Sequence, residues 1–418
     1  IFGNSGSGKS SYLYRNILKE AAEHPEKNYL VLVPEQFTMQ TQRELVRLEK
    51  SHAIMNVDVL SFARLAYRVF DELGKQNLRV LEETGKNLVL RKLAGEQKKN
   101  LSVLGGNLNR MGYISEVKSL ISELTQYNVS PEKLDTFLET EDVGETLRLK
   151  MQDISVMYHS FSEYLKGQYI TAEEVLSLLC DVAEDSGIIK DSVIVFDEFT
   201  GFTPIQYKLM RLLLVYSKGI KISVTIDKKE RPTGHEGWNN LFFMSKEMMN
   251  RLIAICEEEG INVDDTVCVD RDINYRYEGA KDLAYLERNL FRYKGGVYTG
   301  TPENIRIYEG SNPKEELQYI VSEILQLTRK EGFRYRDIAV VTADLETYGK
   351  VAANMMKQND IPAFLDYKRS VASNPYVEML CSALEIVEKG YPYDTMFRYL
   401  RTGLTGISRH DIDMLENY

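Results

Sequence analysis

Short apolar runs alternate with amphipathic stretches from the first residue. An apolar stub, Ile1-Phe2, precedes Tyr12, Ile17, Leu18 and Ala21-Ala22 at helical spacing, and then comes the wholly apolar run Tyr29-Leu30-Val31-Leu32-Val33, closed by Pro34. A run of that kind predicts a strand buried on both faces of a parallel sheet. Helical spacing returns over 36–48, Val57 to Phe62 reads as a second strand ending in a polar turn, and 63–73 reads as a helix. Strands and helices in alternation predict an α/β unit built on a parallel sheet.

From about Asn77 to Lys190 the period changes. Leu88, Leu90 and Leu93, then Val117, Leu120, Ile121 and Leu124, then Leu147 to Phe161 recur three and four residues apart, which predicts an almost wholly helical block. Ser130 before Pro131, and Thr171 with Glu174 three residues on, are helix-start signals within it. Strand patterns resume at 192–196 and 220–226, so the helical block reads as an insertion in a discontinuous α/β unit. A mostly helical stretch, 236–293, leads to a turn-rich boundary at Thr301-Pro302. A second α/β pattern follows: strand 305–308, helix 313–330, strand 337–341, helix 345–358 and short strand 363–365. The expected organisation is therefore 1–76 and 191–300 as the two parts of a first α/β domain, 77–190 as its insertion, and 301–418 as the start of a second. The helical tail, 392–418, stops without a closing element, the pattern of a fragment. No solenoid repeat or low-complexity segment interrupts the chain.

At 418 residues the chain is long enough for two or three folding units. No stretch approaches the roughly 20 apolar residues that span a bilayer, and nothing resembles an export signal. Cys180, Cys256, Cys268 and Cys381 lack C-x-x-C spacing and read as reduced, mostly buried thiols of a cytoplasmic protein, not as a metal site. A net charge of −10 argues against wholesale nucleic-acid affinity, yet net charge averages over the surface. Between Lys75 and Arg110, Lys75, Arg79, Lys86, Arg91, Lys92, Lys98, Lys99 and Arg110 face only Glu82, Glu83 and Glu96. This basic run is either a solvated helix face or the lining of a channel.

The chemistry concentrates at the amino-terminal end. Gly3-Asn4-Ser5-Gly6-Ser7-Gly8-Lys9-Ser10 fits the phosphate-binding pattern G-x-x-x-x-G-K-[ST] between a strand and a helix, the context it requires. Glycine-rich backbone can curl tightly enough to converge its N–H groups on ATP phosphates, with Lys9 on the β- and γ-phosphates and the Ser10 hydroxyl on Mg²⁺. A second signal, Asp197-Glu198, ends the apolar run 193–196. Asp197 suits Mg²⁺ and Glu198 suits an attacking water, at the strand end where open α/β sheets gather ligands. Lys9, Asp197 and Glu198 are thus the catalytic candidates, residues 3–10 the nucleotide cradle, and Ser10 with Asp197 the metal pair. Together the two signals point to a P-loop ATPase of the additional-strand type. Thr38, Ser61, Phe62 and Arg64, at the ends of two strands, suit single-stranded DNA, with hydroxyls and guanidinium for phosphates and Phe62 or Phe37 for stacking; the alternative is that Phe62 and Leu65 are core and Arg64 makes a salt bridge.

These motifs, together with LVPEQFTMQTQREL at 32–45, VLSFARLAYRVF at 59–70, FDEFTGFTP at 196–204, DLAYLERNLF at 282–291 and RYRDIAVVTADL at 334–345, resemble the AddB family. AddB is the second subunit of the bacterial AddAB (RexAB) helicase–nucleases that process double-strand breaks; FRYLRTGL at 397–404 and DIDMLENY at 411–418 extend the likeness. The resemblance implies a RecA-like P-loop domain with a large helical insertion, followed by the start of a second RecA-like domain. It also implies an AddA-like motor and nuclease partner in a heterodimer, action on double- and single-stranded DNA with recognition of the Chi hotspot, and no membrane. The family's nuclease domain and iron–sulfur cluster belong to a carboxyl-terminal part beyond Tyr418. Many members carry Asp-Gly where Asp197-Glu198 stands. Active motors of this superfamily place an arginine near the segment matching 340–344, and Gly-Asp-x-x-Gln where Asp227-Lys228-Lys229 stands; both are missing here. Three readings stay open: a subunit that hydrolyses ATP slowly or conditionally while handling DNA, a DNA-gripping scaffold with an idle nucleotide site, and an unrelated P-loop ATPase.

Overall fold

The computed structural model describes residues 1–75, 79–106, 111–141, 143–231, 233–234, 237–269, 274–292, 295–366 and 371–418. Arg110, Glu236, Tyr293 and the expected boundary at 76–77 lie outside the described residues. The chain divides into two compact units, Ile1–Ile305 and Arg306–Tyr418.

The first unit is built on parallel strands. It begins β1 (Phe2–Gly3), α1 (Lys9–Glu23), β2 (Asn28–Leu32), α2 (Thr38–Leu48), β3 (Val57–Leu60) and α3 (Phe62–Glu72). The helical block follows as β4 (Val80–Leu81), α4 (Glu83–Glu96), α5 (Met111–Gln126), α6 (Pro131–Thr140), α7 (Glu145–Leu165), β5 (Ile170–Thr171), α8 (Glu174–Val182) and α9 (Gly187–Lys190). Then come β6 (Ser192–Phe196), α10 (Pro204–Tyr216), β7 (Gly219–Ile222), β8 (Val224–Thr225), α11 (Phe243–Glu258) and α12 (Lys281–Asn289).

The strands lie in the order β3-β2-β6-β7, and β8 pairs with β1, all parallel. The run expected as one strand over 220–226 is β7 and β8, interrupted at Ser223, whose N–H reaches Phe196 O on β6 while Val224 N–H reaches Ile1 O. The segment 219–226 thus lies between the strand that enters the glycine-rich loop and the strand that leads to Asp197. On the far side of β1, Phe2 N–H donates to Val267 O and Val269 N–H to Phe2 O. That edge lies inside a stretch read from sequence as mostly helical.

β2 explains the layers. Leu30 and Leu32 face a core with Phe62, Leu65, Val69, Leu179, Leu209 and Leu213, while Tyr29, Val31 and Val33 face Leu13, Ile17, Leu45 and Val195. Successive side chains of a strand point to opposite faces, so a wholly apolar strand needs helices on both: α1 and α2 on one, α3, α8 and α10 on the other. The insertion has its own core from α4, α5, α6 and α7, including Leu90, Ile121, Leu134 and Met157. Its helix starts form as the sequence signals: Ser130 Oγ accepts from Lys133 N–H, and Thr171 and Glu174 exchange backbone and side-chain bonds at 3.3 and 2.7 Å. The β4-β5 pair is an addition to the helical expectation.

The second unit corrects the reading of an α/β start. Its described residues form α13 (Pro313–Lys330), α14 (Leu345–Gln358), α15 (Pro375–Lys389), α16 (Tyr393–Leu400) and α17 (Arg409–Asn417), and no strand. Residues 305–308, 338–341 and 363–365 are apolar but unpaired, with Ile307 95%, Val341 91% and Phe364 90% exposed. A strand is stable only against a ladder partner, and none of these segments meets one among the described residues. The unit's small core is Leu317, Val321, Ile324, Ala352, Met355, Met356 and Ile361.

Candidate active site

The loop between β1 and α1 is shaped by its glycines. Gly6 and Gly8 take φ 79° and 96°, in the left-handed region that costs other residues roughly 1–2 kcal/mol. Gly8 caps α1 with no side chain across the helix end, and no acidic residue occupies the first turn. The first N–H groups of α1 are therefore open to an anion, where helix termini favour negative charge. Lys9 is buried and donates from Nζ to Asn4 O at 3.0 Å, folded back across the loop. Two buried polar atoms in this floor have no hydrogen-bond partner among the described residues, Ser7 Oγ and Asn274 Oδ1. Buried polar groups are normally satisfied; of the two, Ser7 Oγ belongs to a residue that lines the cavity over the loop.

Asp197 and Glu198 stand opposite the loop at the end of β6. Asp197 is buried, accepting from Tyr14 Oη at 2.6 Å and from the Ser223 hydroxyl. Burial, and then the Asp197 charge, push the Tyr14 phenol well above its ordinary range, so it is a proton donor at any physiological pH. Glu198 takes φ 65°, which its side chain makes unfavourable. Its Oε1 lies 3.5 Å from Ser10 Oγ, at the long limit of a hydrogen bond. Partial burial and then the Asp197 charge raise its pKa, against Lys9, the Ser10 contact and Arg276, which lower it.

A segment far along the chain completes the site. Asn274 Nδ2 donates to Ser5 O at 3.2 Å, Arg276 Nη1 donates to Ser5 Oγ at 3.4 Å, and the Tyr275 ring lies 3.8 Å from where a β-carbon on Gly8 would be. The Arg276 β-carbon comes within 3.0 Å of the corresponding point on Gly6. The cavity so enclosed, about 910 Å³, is lined by Lys9, Ser10, Asp197, Glu198, Tyr275 and Arg276 among others. No arginine stands near 340–344, where the resemblance expects a cation. Arg276 is a cation over the loop, reached from a different part of the chain. Asp227, at the other position that departs from active motors, is occupied by a structural pair with Arg292 at 2.9 Å.

The DNA candidates are placed less openly. Thr38 is buried, donating to Glu35 O at 3.0 Å, and Ser61 is buried as the cap of α3, accepting from Arg64 N–H at 3.3 Å. Phe62 is 7% exposed, its ring against Phe196, Phe199 and Phe202. Of the two readings of Phe62 this is the core one and not the stacking platform: the ring is core because it is the first inward position of α3. Phe37 packs partly buried against Leu45 and its neighbours. Arg64 alone of the four is exposed, paired with Glu35 at 3.0 Å. In the basic run, Lys86 is 1% exposed and held by Glu83 and Glu173 at 2.8 Å. Lys75, Arg79, Arg91, Lys92, Lys98 and Lys99 are at the surface. Cys180 and Cys256 are buried, whereas Cys268 and Cys381 are exposed, so only two of the four thiols are buried as expected.

Among the described residues no helix is long and apolar enough to cross a membrane. A family profile described as "ADDB, N-terminal" matches residues 1–287. The B-type subunit of the ATP-dependent helicase/deoxyribonuclease of Lachnoclostridium phytofermentans is 38% identical over 421 residues, covering 100% of this chain and 37% of that protein. The proteins of the same name from Clostridium tetani and Clostridioides difficile are 34% and 36% identical, again over 100% of this chain and 36% of theirs. The chain thus spans a little over a third of the length of these relatives.

Proposed function

The chain belongs to the AddB family, matching its amino-terminal part, and from that premise we propose that it is the nucleotide-binding, helicase-like region of the second subunit in a double-strand-break-processing helicase–nuclease. In this reading the first unit is a RecA-like P-loop domain, a reading supported by the additional strand between β1 and β6. The observation that carries the proposal is the convergence of Lys9, Ser10, Asp197, Glu198 and Arg276 on one cavity.

The residues present fit Mg²⁺ and ATP. Hard oxygen donors suit Mg²⁺, and Ser10 and Asp197 would hold it, the aspartate through water. When bound, the ion supplies charge stabilisation to the phosphates. The α1 N-terminus and Lys9, freed from Asn4 O, take the phosphate charge. Glu198 accepts a proton from, and orients, the attacking water. Arg276 supplies a fixed positive charge where negative charge develops, the kind of contribution that governs phosphoryl transfer.

DNA handling is part of the same reading, with a partner of the AddA type as the main motor, recognition of a Chi-type sequence in single-stranded DNA, and cytoplasmic action. Arg64, exposed at the strand-end edge, is the residue best placed to meet a backbone phosphate. ATP turnover by the intact complex, with the partner's nucleotide site disabled, tests the hydrolytic reading: Glu198→Gln is expected to abolish a slow residual rate. An unchanged rate would favour the idle-site scaffold. The absence of salt-dependent binding to single-stranded oligonucleotides would favour an ATPase with no DNA role.

A further inference from the structure

Asp197 is held by side chains that a magnesium-linked carboxylate does not require. Its Oδ2 accepts from Tyr14 Oη at 2.6 Å, and its Oδ1 accepts from the Ser223 hydroxyl. Tyr14 comes from the second turn of α1 and is fully buried, with Thr41 Oγ1 of α2 at 3.5 Å on the other side of its hydroxyl. Ser223 sits at the interruption between β7 and β8, where its backbone is tied to Phe196 O. The backbone of both donors is therefore held by their elements. Ser10, the other expected metal residue, is directed to Glu198 and not to Asp197.

We infer that Tyr14 and Ser223 are positioning residues that restrain Asp197 from engaging a metal ion, so that the site takes up nucleotide readily and Mg²⁺ reluctantly. The inference rests on the reading of this cavity as a Mg²⁺–nucleotide site. A carboxylate that already accepts two side-chain hydrogen bonds has its charge drawn toward them and its lone pairs partly committed. A metal-bound water must compete with those donors for the same oxygens. The arrangement would slow turnover while leaving in place every residue of the phosphate-binding pattern.

The test is the ratio of the affinity of a fluorescent ATP analogue with Mg²⁺ to its affinity in EDTA, measured on the intact protein with the partner's nucleotide site disabled. Tyr14→Phe keeps the ring and removes the donor, and Ser223→Ala removes the other donor with a minimal change of volume. Each is expected to raise the ratio about three- to tenfold, since part of a charge-assisted bond is transferred to the metal's water. Affinity in EDTA should stay within about twofold, a scale set by the intact loop and Lys9. Melting in EDTA reports whether each variant is folded, and Ser223→Ala carries the test should Tyr14→Phe not fold. A ratio that is unchanged in folded variants would assign both residues a structural role only and overturn the inference. A ratio that falls would mean that they present the carboxylate to the metal, which also overturns it. Failure of the unaltered protein to bind the analogue under either condition would instead defeat the functional reading, and this inference with it.

Discussion

Glu198 occupies a backbone conformation that favours glycine, and this gives a prediction separable from its chemistry. With φ 65° it lies in the left-handed region, which costs a residue with a β-carbon roughly 1–2 kcal/mol. Glycine relieves that cost, but its freer unfolded chain returns roughly 0.5–1 kcal/mol of it. Glu198→Gly should therefore be more stable than Glu198→Ala by about 1 kcal/mol. The alanine variant isolates the side-chain charge and the glycine variant adds the backbone change, so their difference reports the relieved strain less the entropy of the freer unfolded chain. In a domain of this size the difference is a melting shift of about 2 °C, read by thermal unfolding in the absence of nucleotide and by urea midpoints. Both variants should lose turnover to the same extent. Equal stability of the alanine and glycine forms would refute the strain argument; an active glycine variant would refute the water-orienting role.

Four other outcomes follow from the same geometry. Arg276→Ala should lower turnover by about 10³-fold while weakening nucleotide binding far less, as for other transition-state arginines, which steady-state kinetics will separate. Phe62→Leu should leave single-stranded DNA affinity unchanged once folding is allowed for, whereas Arg64→Ala should weaken it and reduce the slope of log affinity on log salt by about 1. Lys86→Met should destabilise the insertion by about 3–5 kcal/mol, because it strands Glu173 in the interior, and Lys86→Met with Glu173→Leu should recover much of that loss in denaturant titrations. Hydrogen bonds from Lys118 and then Lys86 hold Glu83 down at about 2. Its contribution to stability is present above its unfolded value of about 4.3 and lost as pH falls through about 2. Acid titration of folding should show loss in that window, and Glu83→Gln should remove that part of it.

The strand that is buried on both faces, the glycine-rich turn between β1 and α1 and the Asp197-Glu198 strand end were legible because each is a local pattern. Apolar continuity from Tyr29 to Val33 leaves one environment that suits it, and the spacing of Gly3, Gly8 and Lys9 serves one backbone shape. What was illegible depends on contacts across the fold. Asn274, Tyr275 and Arg276 follow an isolated bridge that residues 267–269 make to the free side of β1, and a bridge that short leaves no periodic signal. Tyr14 is not singled out in the sequence, because its partner Asp197 is 183 positions away. Ser61 and Thr38 are ambiguous for the opposite reason. A small hydroxyl residue at a strand end serves a ligand or a local cap equally well in sequence, and here both satisfy their own backbone. In the second unit the apolar runs predicted strands, but hydrophobicity cannot supply a hydrogen-bonding neighbour.

Turnover, metal uptake and the role of Arg276 all depend on the cavity between Lys9 and Arg276 being a nucleotide site of this chain. Equilibrium binding of a fluorescent ATP analogue in the presence of Mg²⁺, with the partner's site disabled, measures that directly. Saturable binding is expected, weakened at least about tenfold in Lys9→Ala, since a charge-assisted contact to phosphate is worth at least that much. Binding that is absent, or that is undiminished when Lys9 is removed, would contradict the assignment.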